Sequence, residues 1–219
     1  MFNHIHHDFP KLTRAEIDGS RVYLTPEGLH YPSVTTVLSE YSKKGITQWR
    51  KKVGEDQANA ISRHASTRGT SLHFLAEKYL QNETVPFADA DMFAKTLYTR
   101  IKPELNKINN IQCQEVPLYS DKLGLAGTPD CIAEYDGVLS TIDFKSSSKP
   151  KRESWIQNYF MQGAAYSQMF EEHTGIKVPQ IVIIVGVDTE NHAQVFKTTP
   201  EEHMNALRYY INLYKEKQK

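Results

Sequence analysis

GTPDCIAEYDGVLSTIDFK, residues 127–145, decides the fold. Two strand-like runs, residues 127–135 and 138–145, flank Asp136-Gly137, a residue pair suited to the positive φ angles of a two-residue type I′ hairpin turn. Upstream, QCQEVPLY at 112–119 supplies a third strand, so the three form an antiparallel meander. Downstream, residues 152–173 return to helical periodicity and stop at Gly175. IVIIVGV at 181–187 is then apolar on both faces, as a strand inside a sheet requires. A hairpin follows. The last segment opens on Thr199, Pro200 and Glu202, which fit N-cap, N1 and capping-box positions, and its Met204, Leu207, Ile211 and Tyr214 share one face. It is expected to pack as a closing helix.

Toward the N-terminus, residues 14–31 read as a short hairpin region, with strand-like RVYL at 21–24 and turn chemistry at Pro26, Glu27 and Gly28. This region is expected to form a flap or an edge. Residues 33–79 are helical in pattern with Ser33 as N-cap, and Gly45, Gly54 and Gly69 predict breaks into three or four short helices. Another helical stretch runs from Asp89 to residue 108, kinked or restarted at Pro103. There is no internal repeat. The order of helices, three strands, helix, two strands and helix predicts an α/β fold in one domain. Residues 1–110 would hold the hairpin and helices, and 111–219 the sheet and closing helices.

The turn at Asp136-Gly137 brings Asp130, near the start of one strand, beside Asp143, near the end of the next. Two carboxylates side by side in an apolar sheet repel and are costly to desolvate unless one is protonated or a cation lies between them. A hard divalent cation answers this, and Mg2+ in particular takes one or two carboxylates plus waters and phosphate oxygens. Lys145, two residues beyond Asp143, shares its face of the strand. Its ammonium then sits beside the metal, where it can orient or deprotonate an attacking water and stabilise charge on a phosphate. Asp143 and Lys145 alone also fit a plain surface ion pair.

The 219 residues suit one domain with a substantial core. With 39% hydrophobic and 24% charged residues, and no apolar run near the roughly 20 residues of a membrane span, a soluble protein without a membrane partner is expected. The N-terminus lacks the pattern of a secretory signal, and the two cysteines, Cys113 and Cys131, make neither a disulfide framework nor a four-cysteine cluster. An intracellular setting follows: the cytoplasm of a bacterial or phage-infected cell, or alternatively a mitochondrial matrix. His4, His6 and His7 are expected to be mobile and solvated. Zero formal net charge argues against a broad basic coat, so any nucleic-acid contact must be local. Two clusters offer it: Lys43, Lys44, Arg50, Lys51 and Lys52, and Lys145, Lys149, Lys151 and Arg152.

Gly127-Thr128-Pro129-Asp130 followed by Ile142-Asp143-Phe144-Lys145 resembles the signature of the PD-(D/E)XK nucleases. Gln162 and Tyr166, spaced i, i+4 on one helix, resemble the QxxxY element of the RecB-like branch. Residues 68–73 (RGTSLH) with Glu77 resemble that branch's GxxxH helix. Residues 31–38 (YPSVTTVL), Trp49-Arg50-Lys51 and the stretch from Asp143 through Lys149-Pro150-Lys151 are similar to the mitochondrial genome maintenance exonucleases and their phage and bacterial relatives. The resemblance spans most of the chain from about residue 31.

It implies a restriction-endonuclease-like core: a central mixed β-sheet flanked by helices, with an N-terminal helical region containing the GxxxH helix. It also implies metal ligation by His73, Asp130, Asp143 and the Phe144 carbonyl, with Mg2+ or Mn2+ as cofactor. Lys145 would be catalytic with Asp130 and Asp143, while Gln162 and Tyr166 would orient Lys145 or a phosphate. Glu77 is read as a helix-surface residue or a partner behind the ligands. Glu115 either matches an acidic position of relatives or is an exposed strand glutamate.

The expected activity is hydrolysis of single-stranded DNA from a free end, in replication, repair or recombination. Trp49, Arg50, Lys51, Lys149 and Lys151 would contact DNA, although Trp49 also fits a core position. The competing readings are a structure-specific endonuclease and a weakly active DNA-end-binding module. No phosphate-binding Gly-Lys-Ser/Thr loop is present, so motor activity would come from a partner such as a helicase; a polymerase or single-strand-binding protein would be other natural partners.

Overall fold

Asp136 and Gly137 adopt φ of 51° and 80°, the positive pair that the type I′ turn demands, and close β7 (Cys131–Tyr135) onto β8 (Val138–Ser147). The computed structural model describes every residue except Asp18, Ala88, Asp89 and Lys219. β7 pairs on its other side with β4 (Ile108–Gln114), so the meander is present. The 112–119 run does not continue as one strand, however. β5 (Leu118–Ser120) and β6 (Leu125–Gly127) form a separate two-stranded ribbon, and residues 128–130 connect it to β7. The expected division at 110/111 falls inside β4.

β9 (Gln180–Val187) joins β8 in parallel after a crossover through α4 (Gln157–Thr174), and β10 (Gln194–Thr198) completes the sheet order β10-β9-β8-β7-β4. This mixed sheet flanked by five helices is an α/β architecture consistent with a restriction-endonuclease-like core. Its faces bury alternate residues. Ile132, Ile181, Ile183 and Val185 pack with α4, and Leu207 and Ile211 of α5 (Pro200–Lys217) join that same apolar cluster. Cys131, Ile142, Phe144, Val182 and Ile184 pack against α2 (Glu55–Leu80) and α3 (Met92–Leu105).

The helical region differs from the expected short pieces. α1 (Val34–Val53) and α2 are long, and Gly45 and Gly69 lie within them. A glycine inside a helix costs roughly 1 kcal/mol, which a long helix tolerates. Gly54 alone among the three breaks the helix, with φ of 86°. Ser33 caps α1, its side chain accepting from the Thr36 N–H at 3.0 Å. Pro103 lies in the last turns of α3, which ends at Leu105 without a restart, and the predicted start at Asp89 falls outside the described residues. Residues 152–156 are not α-helical; a 3-10 turn at Glu153–Trp155 precedes α4.

The 14–31 region is a three-stranded sheet of β1 (Thr13–Ile17), β2 (Ser20–Leu24) and β3 (His30–Pro32). The histidine-rich N-terminus is not loose. Ile5 N donates to Ile111 O at 2.7 Å, Ile111 N donates to Asn3 O at 2.8 Å, and His7 Nε2 lies 2.7 Å from Gln112 Oε1. The tail thereby covers the edge of β4 that would otherwise expose unpaired backbone groups. Among the described residues, no helix is long and apolar enough to cross a membrane.

Candidate functional site

The register Cys131↔Ile142 places the next pair, Asp130 and Asp143, opposite each other at the end of the sheet. Phe144 N donates to Asp130 Oδ2 at 2.8 Å, which fixes the carboxylate one residue outside β7. α2 covers one face here and brings His73 Nδ1 to 3.3 Å from Asp130 Oδ1, with the imidazole edge-on to Phe144. α4 covers the other face, where Asp143 and Lys145 lie. The site therefore straddles the sheet end, with one contribution from each helical layer.

Lys145 Nζ is 2.5 Å from Asp143 Oδ2 and 5.0 Å from the centre of the Tyr159 ring. The ammonium is thus held between a carboxylate and an aromatic face. Asp143 is buried; Oδ2 meets the Lys145 ammonium, and Oδ1 has no hydrogen-bond partner. One helical turn beyond Tyr159, Gln162 Nε2 donates to Tyr166 Oη at 3.0 Å. Burial raises the Tyr166 hydroxyl far above its ordinary range, so it stays a phenol with a proton to donate.

His73, Glu115 and Asp130 form a group whose ligand atoms all lie within 4.8 Å of one another. Glu115 follows β4 with φ of 51°, a left-handed conformation that costs about 1–3 kcal/mol in a non-glycine residue. Such strain persists only where the surroundings hold it. Here Glu115 N donates to Pro129 O at 3.2 Å, which ties it to the residue before Asp130.

The charges are strongly coupled. Burial works against the Asp130 carboxylate, but His73 and Lys145 outweigh it and hold its pKa below the ordinary value. Asp143 moves the other way, raised by burial and by Asp130 with only partial relief from Lys145. Burial would lower His73, yet Asp130 outweighs this and lifts it to about 9. Glu115 keeps open surface, but the desolvation it undergoes and the nearby Asp130 push it up to about 7. Three carboxylates thus share one small space with two cationic side chains.

A cavity of about 290 Å³ opens onto this arrangement, lined by His73, Glu115, Asp130, Lys145, Gln162 and Tyr166 among others. Asp143 stands behind it. Of the residues singled out in the sequence, His73, Asp130, Asp143, Phe144, Lys145, Gln162 and Tyr166 come together here. Glu77 does not line the cavity; it accepts from Gln81 Nε2 at 3.0 Å one turn farther along α2, where its charge still acts on Glu115. Glu115, left open between two readings in the sequence, belongs to the cluster, and Tyr159 went unrecognised.

The residues expected to contact DNA stand elsewhere: Trp49, Arg50, Lys51, Lys149 and Lys151 do not line the cavity. Arg50 is engaged by Glu55, and its Nη2 lies 2.6 Å from Asn59 Oδ1. Trp49 is half-buried rather than in the core. Lys151 is pinned through its backbone, whose N–H donates to Gln194 Oε1 at 2.7 Å.

No protein-family model matches the chain. Mitochondrial genome maintenance exonuclease 1 of Homo sapiens is 29% identical over 147 residues, which cover 62% of this chain and 42% of the relative. The Mus musculus protein of the same name is 27% identical over 128 residues, covering 55% of this chain and 38% of its own length. The likeness is distant. The chain spans about two fifths of these curated relatives.

Proposed function

We propose that this chain is a divalent-metal-dependent deoxyribonuclease of the PD-(D/E)XK superfamily, RecB-like branch, in which a single domain degrades single-stranded DNA from a free end. The observation that carries the reading is the convergence of His73, Glu115 and Asp130 beside the buried Asp143–Lys145 pair in one cavity. The naming of both relatives as exonucleases supports the same activity.

The donor set fits the cofactor. Carboxylate oxygens dominate it, as Mg2+ and Mn2+ prefer, and Asp143 Oδ1, buried and without a hydrogen-bond partner, is a group a cation would satisfy. Asp130 and Asp143 would hold it with His73, which ligates as the neutral imidazole, and Glu115 and the Phe144 carbonyl complete the candidates. When bound, such a cation supplies Lewis-acid activation of a phosphate oxygen and a water of lowered pKa.

The protein's own groups do the rest. Lys145, clamped by Asp143 and Tyr159, presents a fixed ammonium that orients the attacking water and offsets charge on the phosphate oxygens. Tyr166 accepts from Gln162 and retains its own proton, so it donates to a phosphate oxygen or to water. Gln162 gives one of its two amide N–H donors to Tyr166 and keeps its carbonyl oxygen as an acceptor. The outer parts of α1 and α2 face solvent: residues 43–48 and 59–67 are all exposed. They form the arch through which a flexible strand threads, Trp49 and Lys51 providing stacking and charge.

The test is digestion of linear single-stranded DNA against its circularised form and a blunt duplex, at matched nucleotide and salt. Threading predicts that only the linear strand is degraded rapidly. Equal cleavage of the circle would replace the exonuclease with an endonuclease.

A further inference from the structure

We infer that the β1–β2 hairpin is a backbone-phosphate clamp for the strand entering the site, with Arg14 and Arg21 as its phosphate-binding side chains; this rests on the nuclease reading above. Antiparallel pairing sets Arg14 opposite Tyr23 and Glu16 opposite Arg21, so all four side chains share one face of the hairpin. The two arginines are diagonal neighbours, roughly 7 Å apart at the backbone. Tyr23 anchors that face: it is buried, and its hydroxyl lies 3.2 Å from Thr128 Oγ1, two residues before Asp130. The hairpin is therefore fixed to the segment that carries the candidate metal ligand.

Arg14 and Arg21 line the cavity that holds His73, Asp130 and Lys145. Both also line a second groove, of about 640 Å³, between the hairpin and the start of α1, bordered by Thr35, Thr36 and Ser39. The same two arginines thus border the candidate reacting centre and the groove next to it. Both residues are exposed, and neither forms an ion pair among the described residues. Three other arginines are committed: Arg68 to Asp188 at 2.5 Å, Arg50 to Glu55, and Arg152 to the Trp155 ring at 5.2 Å. Glu16, opposite Arg21, is the carboxylate among the residues lining the groove.

The ligand class this fits is a run of adjacent phosphodiesters on one flexible strand, read without regard to base. Local placement of two cations at the entrance also answers how a chain of zero net charge holds a polyanion.

The experiment measures binding of a dye-labelled linear oligodeoxythymidylate and of a mixed-sequence strand by Lys145→Ala protein in Mg2+, over a range of salt. Introducing Arg14→Gln with Arg21→Gln should weaken both strands by the same factor. It should also flatten the slope of log affinity against log salt by roughly 1.4, about 0.7 for each phosphate no longer neutralised. Arg14→Lys with Arg21→Lys should keep the slope, and Lys122→Gln with Arg208→Gln, two exposed cations outside both cavities, should also leave it unchanged. An unchanged slope in the natively folded glutamine variant overturns the clamp while leaving the nuclease reading intact, and so does an equal flattening by the Lys122/Arg208 control. If the protein neither binds nor cleaves linear single-stranded DNA, the nuclease reading falls and the clamp falls with it.

Discussion

The ring of Tyr166 occupies the space that a side chain at Gly127 would need. A Cβ on Gly127 would lie 2.7 Å from Tyr166 Cε1 and 3.2 Å from its Oη. Glycine is required here for room, not for backbone freedom, and the room lets α4 bring its tyrosine down beside the segment that leads to Asp130. Gly163 serves the same approach one layer over, where an added Cβ would meet Ile181 Cγ2 at 2.6 Å.

Gly127→Ala should therefore lower stability by about 1–3 kcal/mol, the usual scale of overpacking. Gly163→Ala gains roughly 1 kcal/mol of helix propensity but meets a buried, β-branched neighbour that cannot yield, so its net effect is also destabilising. Urea midpoints measure both, and unchanged midpoints would show that α4 does not sit this close.

Much of this was legible because local chemistry and tertiary context agree. Asp136-Gly137 specifies its turn, IVIIVGV its buried strand, and Gly175 ends α4 with φ of 72°. Two features were not legible. Gly45 and Gly69 look like punctuation, yet the helices pass through them because capping and packing elsewhere outweigh a local propensity cost. Glu115 lies at the break between β4 and β5, and only the bend there, with its positive φ, brings its carboxylate to His73 and Asp130. Strand alternation carries no information about such a break. The Asp130–Asp143 pair was readable from a single hairpin; the arginines of β1 and β2 were not, since their approach depends on an anchor between residues more than 100 positions apart in sequence, Tyr23 and Thr128.

Arg68 and Asp188 tie α2 to the end of β9, with side chains 17% and 27% exposed. Their pairing sets the position of the helix that delivers His73. A double-mutant cycle with Arg68→Met and Asp188→Asn should give a coupling of about 1–3 kcal/mol in urea unfolding. Simple additivity would mean that the pair does not hold α2 in place.

Tyr159 is expected to act through Lys145. Tyr159→Leu removes the aromatic face from the ammonium, worth about 0.5–2 kcal/mol, or up to roughly thirtyfold in rate. The loss should appear in kcat with KM little changed, and Tyr159→Phe, which keeps the ring, should restore it. An equal loss in the phenylalanine variant would assign the role to the hydroxyl instead.

The most direct measurement is cleavage of end-labelled linear single-stranded DNA by the purified chain and by Lys145→Ala, in Mg2+ or Mn2+, with and without excess chelator. The account predicts degradation by the chain, its abolition by chelator and its return when metal is restored. The Lys145→Ala protein should still bind the strand but cleave it at least on the order of 10²-fold more slowly. Full activity in excess chelator, or an undiminished rate in Lys145→Ala, would contradict it.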